Sequence, residues 1–255
     1  MGAVIGTPRL PLGTRVAMLT RLFAVQGAWN YETMMGNGIA FAIEPALRLL
    51  PGGRDGDAYR SALARQSGYF NAHPYLAGLA VGGLARAELD GDAPSRIDRF
   101  RSACCGPLGS VGDQLVWAAW LPFCSLVALL AFGLGGGAVS VVATFLIVYN
   151  AGHVALRTWT FNVGWREGLH IASVLGHPVF RRGPSFIARG TAVLSGVAIP
   201  LAVARIVGER PIALAAALGV AVAWTLGTAL LVKRADGWRT ALIGVALFAL
   251  YSVLT

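Results

Sequence analysis

Five apolar runs constrain this chain more than anything else in it. Leu115–Leu134, Ala138–Leu156, Ala188–Val207, Ile212–Val232 and the shorter Thr240–Leu254 span or nearly span a bilayer as helices, which takes roughly 17–25 apolar residues. Hydrophobic residues make up 56% of the 255 and charged ones only 13%, about half the charged share of a soluble domain. With a mean hydropathy of +0.63, the chain is expected to be a single all-α integral membrane domain over 1–255, not a soluble enzyme with a large core. The N-terminal "MGAVIGTPRLPLGTRVAML" interrupts its apolar residues with proline and arginine. No cleavable signal peptide is expected, and insertion rests on the internal segments.

The net charge of +9 comes from twenty arginines and Lys233. Those residues are scattered between the apolar runs, which fits loops facing an anionic leaflet and not a nucleic-acid stripe. The first 114 residues hold eleven arginines, 157–189 hold five, and "KRADGWR" at 233–239 holds three Lys/Arg. The opposite side, at "GLGGG" (133–137), "GERP" (208–211) and the C-terminus, keeps only Arg205 and Arg210. Nineteen against two puts the first group inside and the C-terminus outside. The stretch from Arg157 to Pro184 reads as a long cytoplasmic loop. Cys104, Cys105 and Cys124 have neither disulfide-framework nor metal-ligand spacing, and no metal or cofactor is expected.

Residues 1–114 differ in character from the transmembrane part, 115–255. Leu22–Leu50 and Tyr69–Glu88 are apolar enough to enter a membrane, yet glycine, proline and polar residues interrupt both. Hydrophilic stretches, 51–68 and 89–105, follow them. Irregular backbone at membrane depth survives only against protein or a water-filled cavity, and transporters use such broken helices to build substrate sites. Re-entrant hairpins or discontinuous helices are therefore expected here.

Three polar constellations stand out. In "VQGAWNYETMMGNGIAFAIEP" (25–45), Gln26, Trp29, Asn30, Thr33 and Asn37 would share one face of a helix, with Glu32 to one side and "GNG" as a break. Amides and an indole suit a sugar, the amides taking hydroxyls and the ring covering the C–H face. The plainer alternative is an interfacial Trp29 with amides gluing helices together. In "GYFNAHPYLAG" (68–78), Asn71 and His73 precede Pro74, so this stretch forms the entry to a helix, where free N–H groups favour an electron-rich ligand or ordinary capping by Asn71. In "GPLGSVGDQLVWAAWLPF" (106–123), Asp113 stands where an N-cap belongs, worth ~1 kcal/mol. Gly106, Gly109 and Gly112 suggest a loop with close backbone approach or a hinge. His153, between Asn150 and Arg157, reads as part of a structural polar cluster, and His170 and His177 fall in the long loop.

These motifs, in this order and with these gaps, resemble the IID membrane subunit of mannose-family (mannose/fructose/sorbose) sugar phosphotransferase systems. The family patterns lie near F-Q-G-S-W-N-F-E-x-M, F-F-N-T-x-P-F and G-P-L-A-G-I/V-G-D, and the likeness returns in "YNAGHVALRTWTFNVGWREG". The resemblance implies a bacterial inner-membrane, multi-pass, elevator-type transporter subunit. It would pair with a IIC subunit as a trimer of IIC–IID pairs, while cytoplasmic IIA/IIB carry the phosphate to a hexose-type sugar. It implies no catalytic or phosphoacceptor residue. Carried over residue by residue, Gln26, Trp29, Asn30 and Glu32 fall in the first motif, Asn71 and His73 in the second and Asp113 in the third, as sugar-binding or gating positions. His73 stands where the family usually has glutamine, Gln114 replaces a frequent proline, and "GERP" replaces a sizeable polar insertion. Two other readings follow: a shortened, non-transporting sensor or scaffold, or an intramembrane enzyme using Glu32, Asp113 and His73. Against the enzyme, no nucleophile–base pair sits at close helical spacing.

Overall fold

The computed structural model describes residues 10–170 and 174–208. The runs Ile212–Val232 and Thr240–Leu254, the 233–239 stretch and most of "GERP" lie outside them. Among the described residues the fold is helical: α1 (Leu12–Leu22), α2 (Gly36–Leu47), α3 (Asp57–Ser67), α4 (Ala77–Leu89), α5 (Pro94–Gly133), α6 (Ala138–Glu167), the short α7 (Pro178–Arg181) and α8 (Gly183–Val207).

Among the described residues, three helices are long and apolar enough to cross a membrane: α5, the helical stretch Ala138–His170 that contains α6, and α8. They correct the sequence boundaries. α5 is one continuous 40-residue helix that starts at Pro94, where proline's fixed φ and missing N–H suit a first turn. The expected glycine-jointed loop at 106–112 is therefore helical, and Asp113 is no N-cap. Its backbone is helical, at φ −61° and ψ −43°, as is that of Gly112. From Asp113 to Trp120 the helix widens into a π-helix, a local form frequent at functional sites. α6 runs on past Leu156 to Glu167, so the first part of the expected long loop is helical, and α7 lies in its remainder.

The C-terminal half of α5 packs against α6 and α8. At one end of this bundle Arg205 donates to the Phe132 and Gly136 carbonyls and closes the 133–137 turn. Much of the bundle surface is apolar and exposed, and the most apolar window of α6 has no buried residue. Such a surface suits lipid or another membrane subunit.

The other end carries a compact head formed by α1–α4 and the first half of α5. Its core is Met18, Leu22, Ile39, Ile43, Leu47, Phe70, Leu76, Leu79, Leu84 and Ile97, all fully buried. Eleven of the thirteen residues of α4 are buried, because small residues let its backbone lie on α6. A Cβ on Gly82 would fall 2.4 Å from the Phe161 carbonyl oxygen, and one on Gly164 2.3 Å from that of Leu79.

Two carboxylates lock the head. Glu44 accepts from Arg48 Nε and Nη2 and from Arg21 Nη1 at 2.7 Å, and from the Tyr59 hydroxyl at 3.0 Å. Burial works against its charge, but the Arg48, Arg21 and Tyr59 hydrogen bonds outweigh it and hold the carboxyl at about 2. Glu88 accepts from Arg65 and Gln66, and Arg101 reaches from α5 to the Gln66 side-chain oxygen and the Gly68 carbonyl. The two hubs fix α3 to α2 on one side and to α4 and α5 on the other.

Candidate functional site

The breaks expected in the first 114 residues occur at 23–35 and 68–76, and they meet. Phe70 N–H donates to the Thr33 carbonyl at 3.2 Å and Met35 N–H to the Phe70 carbonyl at 2.9 Å. Three residues on, His73 N–H donates to the Leu108 carbonyl of α5 at 3.3 Å. The three polar stretches picked out in the sequence are thus joined by backbone hydrogen bonds where the head meets the bundle.

The first stretch is not a helix. Asn30 Oδ1 accepts from the Glu32 and Thr33 N–H groups at 3.0 and 2.8 Å, and Asn30 Nδ2 donates to Thr33 Oγ1 and the Ala28 carbonyl. This is a side-chain-stabilised turn, and it corrects the expected shared helical face. The carboxamide of Asn30 is engaged within its own turn. Met34 takes a left-handed φ of 52°, which the flanking bonds to Asn30 and Phe70 hold. Gln26, Trp29, Glu32 and Asn37 remain exposed, with Trp29 edge-on to Tyr31. "GNG" does not break a helix but begins α2. Both its glycines permit close approach, of the Gly68 carbonyl to Gly36 and the Val25 carbonyl to Gly38.

In the second stretch, Asn71 is exposed and His73 is 2% exposed. The turn is made by His73 itself: its carbonyl accepts from Leu76 and Ala77, and its Nδ1 accepts from Tyr75 N–H at 3.2 Å. An accepting Nδ1 puts the proton of the neutral ring on Nε2. Burial pushes the ring down to about 4 against the pull of the Asp113 carboxylate. Trp117 packs edge-on to His73 at 5.5 Å, and Asp113, in the third stretch, is exposed.

A second layer lies behind His73. Tyr75 stacks on His153 with ring centroids 3.8 Å apart, and its hydroxyl donates to that of Tyr149 at 2.7 Å. Arg157, 3% exposed, lies over the rings of Phe23 and Tyr75 and donates to the Leu22 carbonyl at the end of α1. No carboxylate pairs with it among the described residues. The Nε2 atoms of His73 and His153 and the Nε of Arg157 are buried without a hydrogen-bond partner among them. A cavity of about 140 Å³ adjoins this layer, bounded by Tyr75, Val116, Trp120, Gly152 and Leu156. His153 and Arg157 lie on the apolar stretch Ala138–His170, and ionisable groups on a membrane helix are costly and point to function.

Sequence reasoning placed His153 and Arg157 in a structural cluster with Asn150. The structure instead turns Asn150 outward, onto the Leu146 carbonyl, and brings in Tyr149 and Thr160. Tyr149, His153 and Arg157 recur every four residues, and that ladder on one face of α6 was the available signal. His177 caps α7 through Val179 N–H, and His170 meets the Glu167 carbonyl.

Comparison with known proteins gives a consistent picture. The family model described as "PTS system mannose/fructose/sorbose family IID component" matches residues 10–203. The mannose-specific EIID component of the phosphotransferase system of Escherichia coli (strain K12) is 30% identical over 161 residues, covering 59% of this chain and 54% of that protein. The sorbose-specific EIID component of Klebsiella pneumoniae is 28% identical over 174 residues, 66% of this chain and 62% of that one. The fructose permease IID component of Bacillus subtilis (strain 168) is 28% identical over 163 residues, 61% and 57%. The matched part spans between half and two thirds of these curated relatives.

Two solved structures share the fold. One, titled only as a membrane protein, has a TM-score of 0.62 at 23% identity, covering 74% of this chain and 70% of that one. The other is the mannose transporter ManYZ in complex with microcin E492, with a TM-score of 0.55 at 21% identity and 96% coverage of both chains.

Proposed function

The chain belongs to the mannose/fructose/sorbose-family IID components of the phosphotransferase system, and on that premise we propose that it is the sugar-translocating membrane subunit of such a system. It works with a IIC subunit in the bacterial cytoplasmic membrane, as IIC–IID pairs in a trimer that moves by an elevator mechanism. IIA and IIB proteins supply the phosphate from the cytoplasm, and this subunit carries no phosphoacceptor residue.

The observation that carries the reading is the convergence of the three polar stretches through the Thr33–Phe70–Met35 and His73–Leu108 backbone bonds. Each residue then has a physical role. Trp29 covers a sugar C–H face, and Gln26, Glu32, Asn71 and Asp113 offer exposed hydrogen-bonding groups. Asn30 and His73 hold the turns that present them.

Phosphoenolpyruvate-dependent uptake of labelled hexoses, measured with the IIC, IIA and IIB partners co-expressed, tests this. Asp113 is exposed and inside a helix, so the near-isosteric Asp113→Asn keeps the fold and removes only the charge. Uptake is expected to fall about tenfold or more with the complex assembled, as loss of a charged hydrogen bond worth about 1.5–3 kcal/mol would give. Wild-type uptake by both Asp113→Asn and Asn71→Ala would remove these residues from the sugar path.

A further inference from the structure

A groove between α5 and α8 has no place in the sugar path proposed above. Trp120, Phe123 and Val127 line it from α5 and Phe186, Gly190 and Val193 from α8, enclosing about 750 Å³. That volume falls in the range that buries whole small ligands, about 300–1,000 Å³. Phe186 and Val193 are 78% and 74% exposed. One charged side chain borders this apolar trough, Arg189.

Arg189 is an unusual lining residue. It sits about 9 Å along the axis of α8 from Gly183, at 1.5 Å per residue. It is exposed, and its side chain has no hydrogen bond or ion pair among the described residues. A cation in the first turns of a membrane helix snorkels to the interface, where an anionic counter-charge stabilises it. Arg181 and Arg182 stand just before α8, also exposed and without a carboxylate partner among the described residues. The groove is thus an apolar trough bordered by one guanidinium group, with two further arginines just before α8 in the chain.

We propose that this groove holds an anionic phospholipid of the surrounding bilayer. One acyl chain lies along Phe123, Val127 and Val193, and the phosphate meets Arg189, with Arg181 and Arg182 adding attraction at the interface. The guanidinium fork matches phosphate oxygens in two-point contacts. A net negative head group leaves the arginines neutralised, whereas a zwitterionic head brings its own cation to the same place, so the site discriminates between them.

Native mass spectrometry tests the site on the full chain, purified with its membrane partners from nanodiscs of equal phosphatidylglycerol and phosphatidylcholine. Wild type is expected to retain phosphatidylglycerol about fivefold or more in preference, as one arginine near an anionic head group supports. Arg189→Lys keeps that preference, and Arg189→Gln loses most of it. A Cβ on Gly190 makes only ordinary contact with Phe123, at 3.6 Å. The larger Gly190→Leu therefore fills the groove without disturbing the helix and removes the retained lipid of either kind. Equal retention of the two lipids by wild type, or an Arg189→Gln variant as selective as wild type, overturns the proposal. A photo-crosslinking residue at Val193 separates the remaining occupants: a lipid adduct supports the site, and an adduct to a partner subunit or to this chain's residues beyond Gly208 overturns it.

Discussion

Gly112 lies flat against His73. A Cβ on Gly112 would come within 2.1 Å of the His73 Cβ and 2.5 Å of its Cγ, so α5 and the 73–76 turn touch through a position that admits only hydrogen. The contact sets His73 beneath Trp117 and, with the His73–Leu108 bond, fixes the turn to the membrane helix.

Gly112→Ala should therefore push α5 and the turn apart, at the 1–3 kcal/mol typical of overpacking. Gly106→Ala and Gly109→Ala meet nothing within 4 Å and should be neutral or stabilising, by up to about 1 kcal/mol through helix propensity. Thermal unfolding of the three variants in detergent should rank Gly112→Ala alone below wild type. Equal stability of all three would remove the contact.

His73 makes stability pH-dependent. Its ring falls from an ordinary 6.5 to about 4 in the folded head, burial being the cause. The unfolded chain then binds the extra proton first, so this contribution is complete above pH 6.5 and is lost as pH falls toward 4. Melting temperatures between pH 7 and 4 should fall less steeply for His73→Gln than for wild type. Parallel curves would assign the acid sensitivity elsewhere.

Glu44 titrates lower. Its window runs from the ordinary 4.5 down to about 2, and its contribution is present above 4.5 and lost on further acidification. At neutral pH, Glu44→Gln leaves Arg21 and Arg48 without their carboxylate and should cost about 1–3 kcal/mol. The loss should be largest at pH 7 and vanish near pH 2, which urea titrations at the two pH values would register.

Arg157 should tolerate no neutral replacement. Its guanidinium joins the end of α1 to α6 and covers Phe23 and Tyr75. Arg157→Lys keeps the charge but loses the planar fork and stacking, so partial stability is expected, and Arg157→Leu should strand the Leu22 carbonyl. Hydrogen exchange in α1 should rise in the order wild type, Lys, Leu. Unchanged protection of α1 in Arg157→Leu would show that the tie carries no weight.

Topology follows from the nineteen-to-two division of basic residues. With the native cysteines replaced, Leu134→Cys, 72% exposed in the 133–137 turn, should react in intact cells with an impermeant maleimide. Asp57→Cys in the head should react only after permeabilisation. The reverse pattern would invert the orientation.

The sequence by itself determined the membrane character of the chain, the presence of helices long and apolar enough to cross a membrane, and the three polar stretches. Length and mean hydropathy are local sums, and the cost of exposing backbone to hydrocarbon makes them decisive without any partner. It also showed that Leu22–Leu50 and Tyr69–Glu88 would not be simple spanning helices, because glycine, proline and polar residues interrupt both.

What tertiary structure decided was conformation wherever local signals tied. Asn30 and Thr33 fit a helical face as well as a turn, and the pairing of Thr33 and Met35 with Phe70 chose the turn. Asp113 fits an N-cap, but a helix already running from Pro94 passes through it. Glycine at 112 reads as a hinge in one dimension and as a seat for the His73 ring in three. Tyr149, His153 and Arg157 gain their meaning only because Tyr75, far away in the chain, stacks among them. Each of these outcomes rests on a contact between residues distant in sequence, and no local pattern encodes which distant residue will arrive.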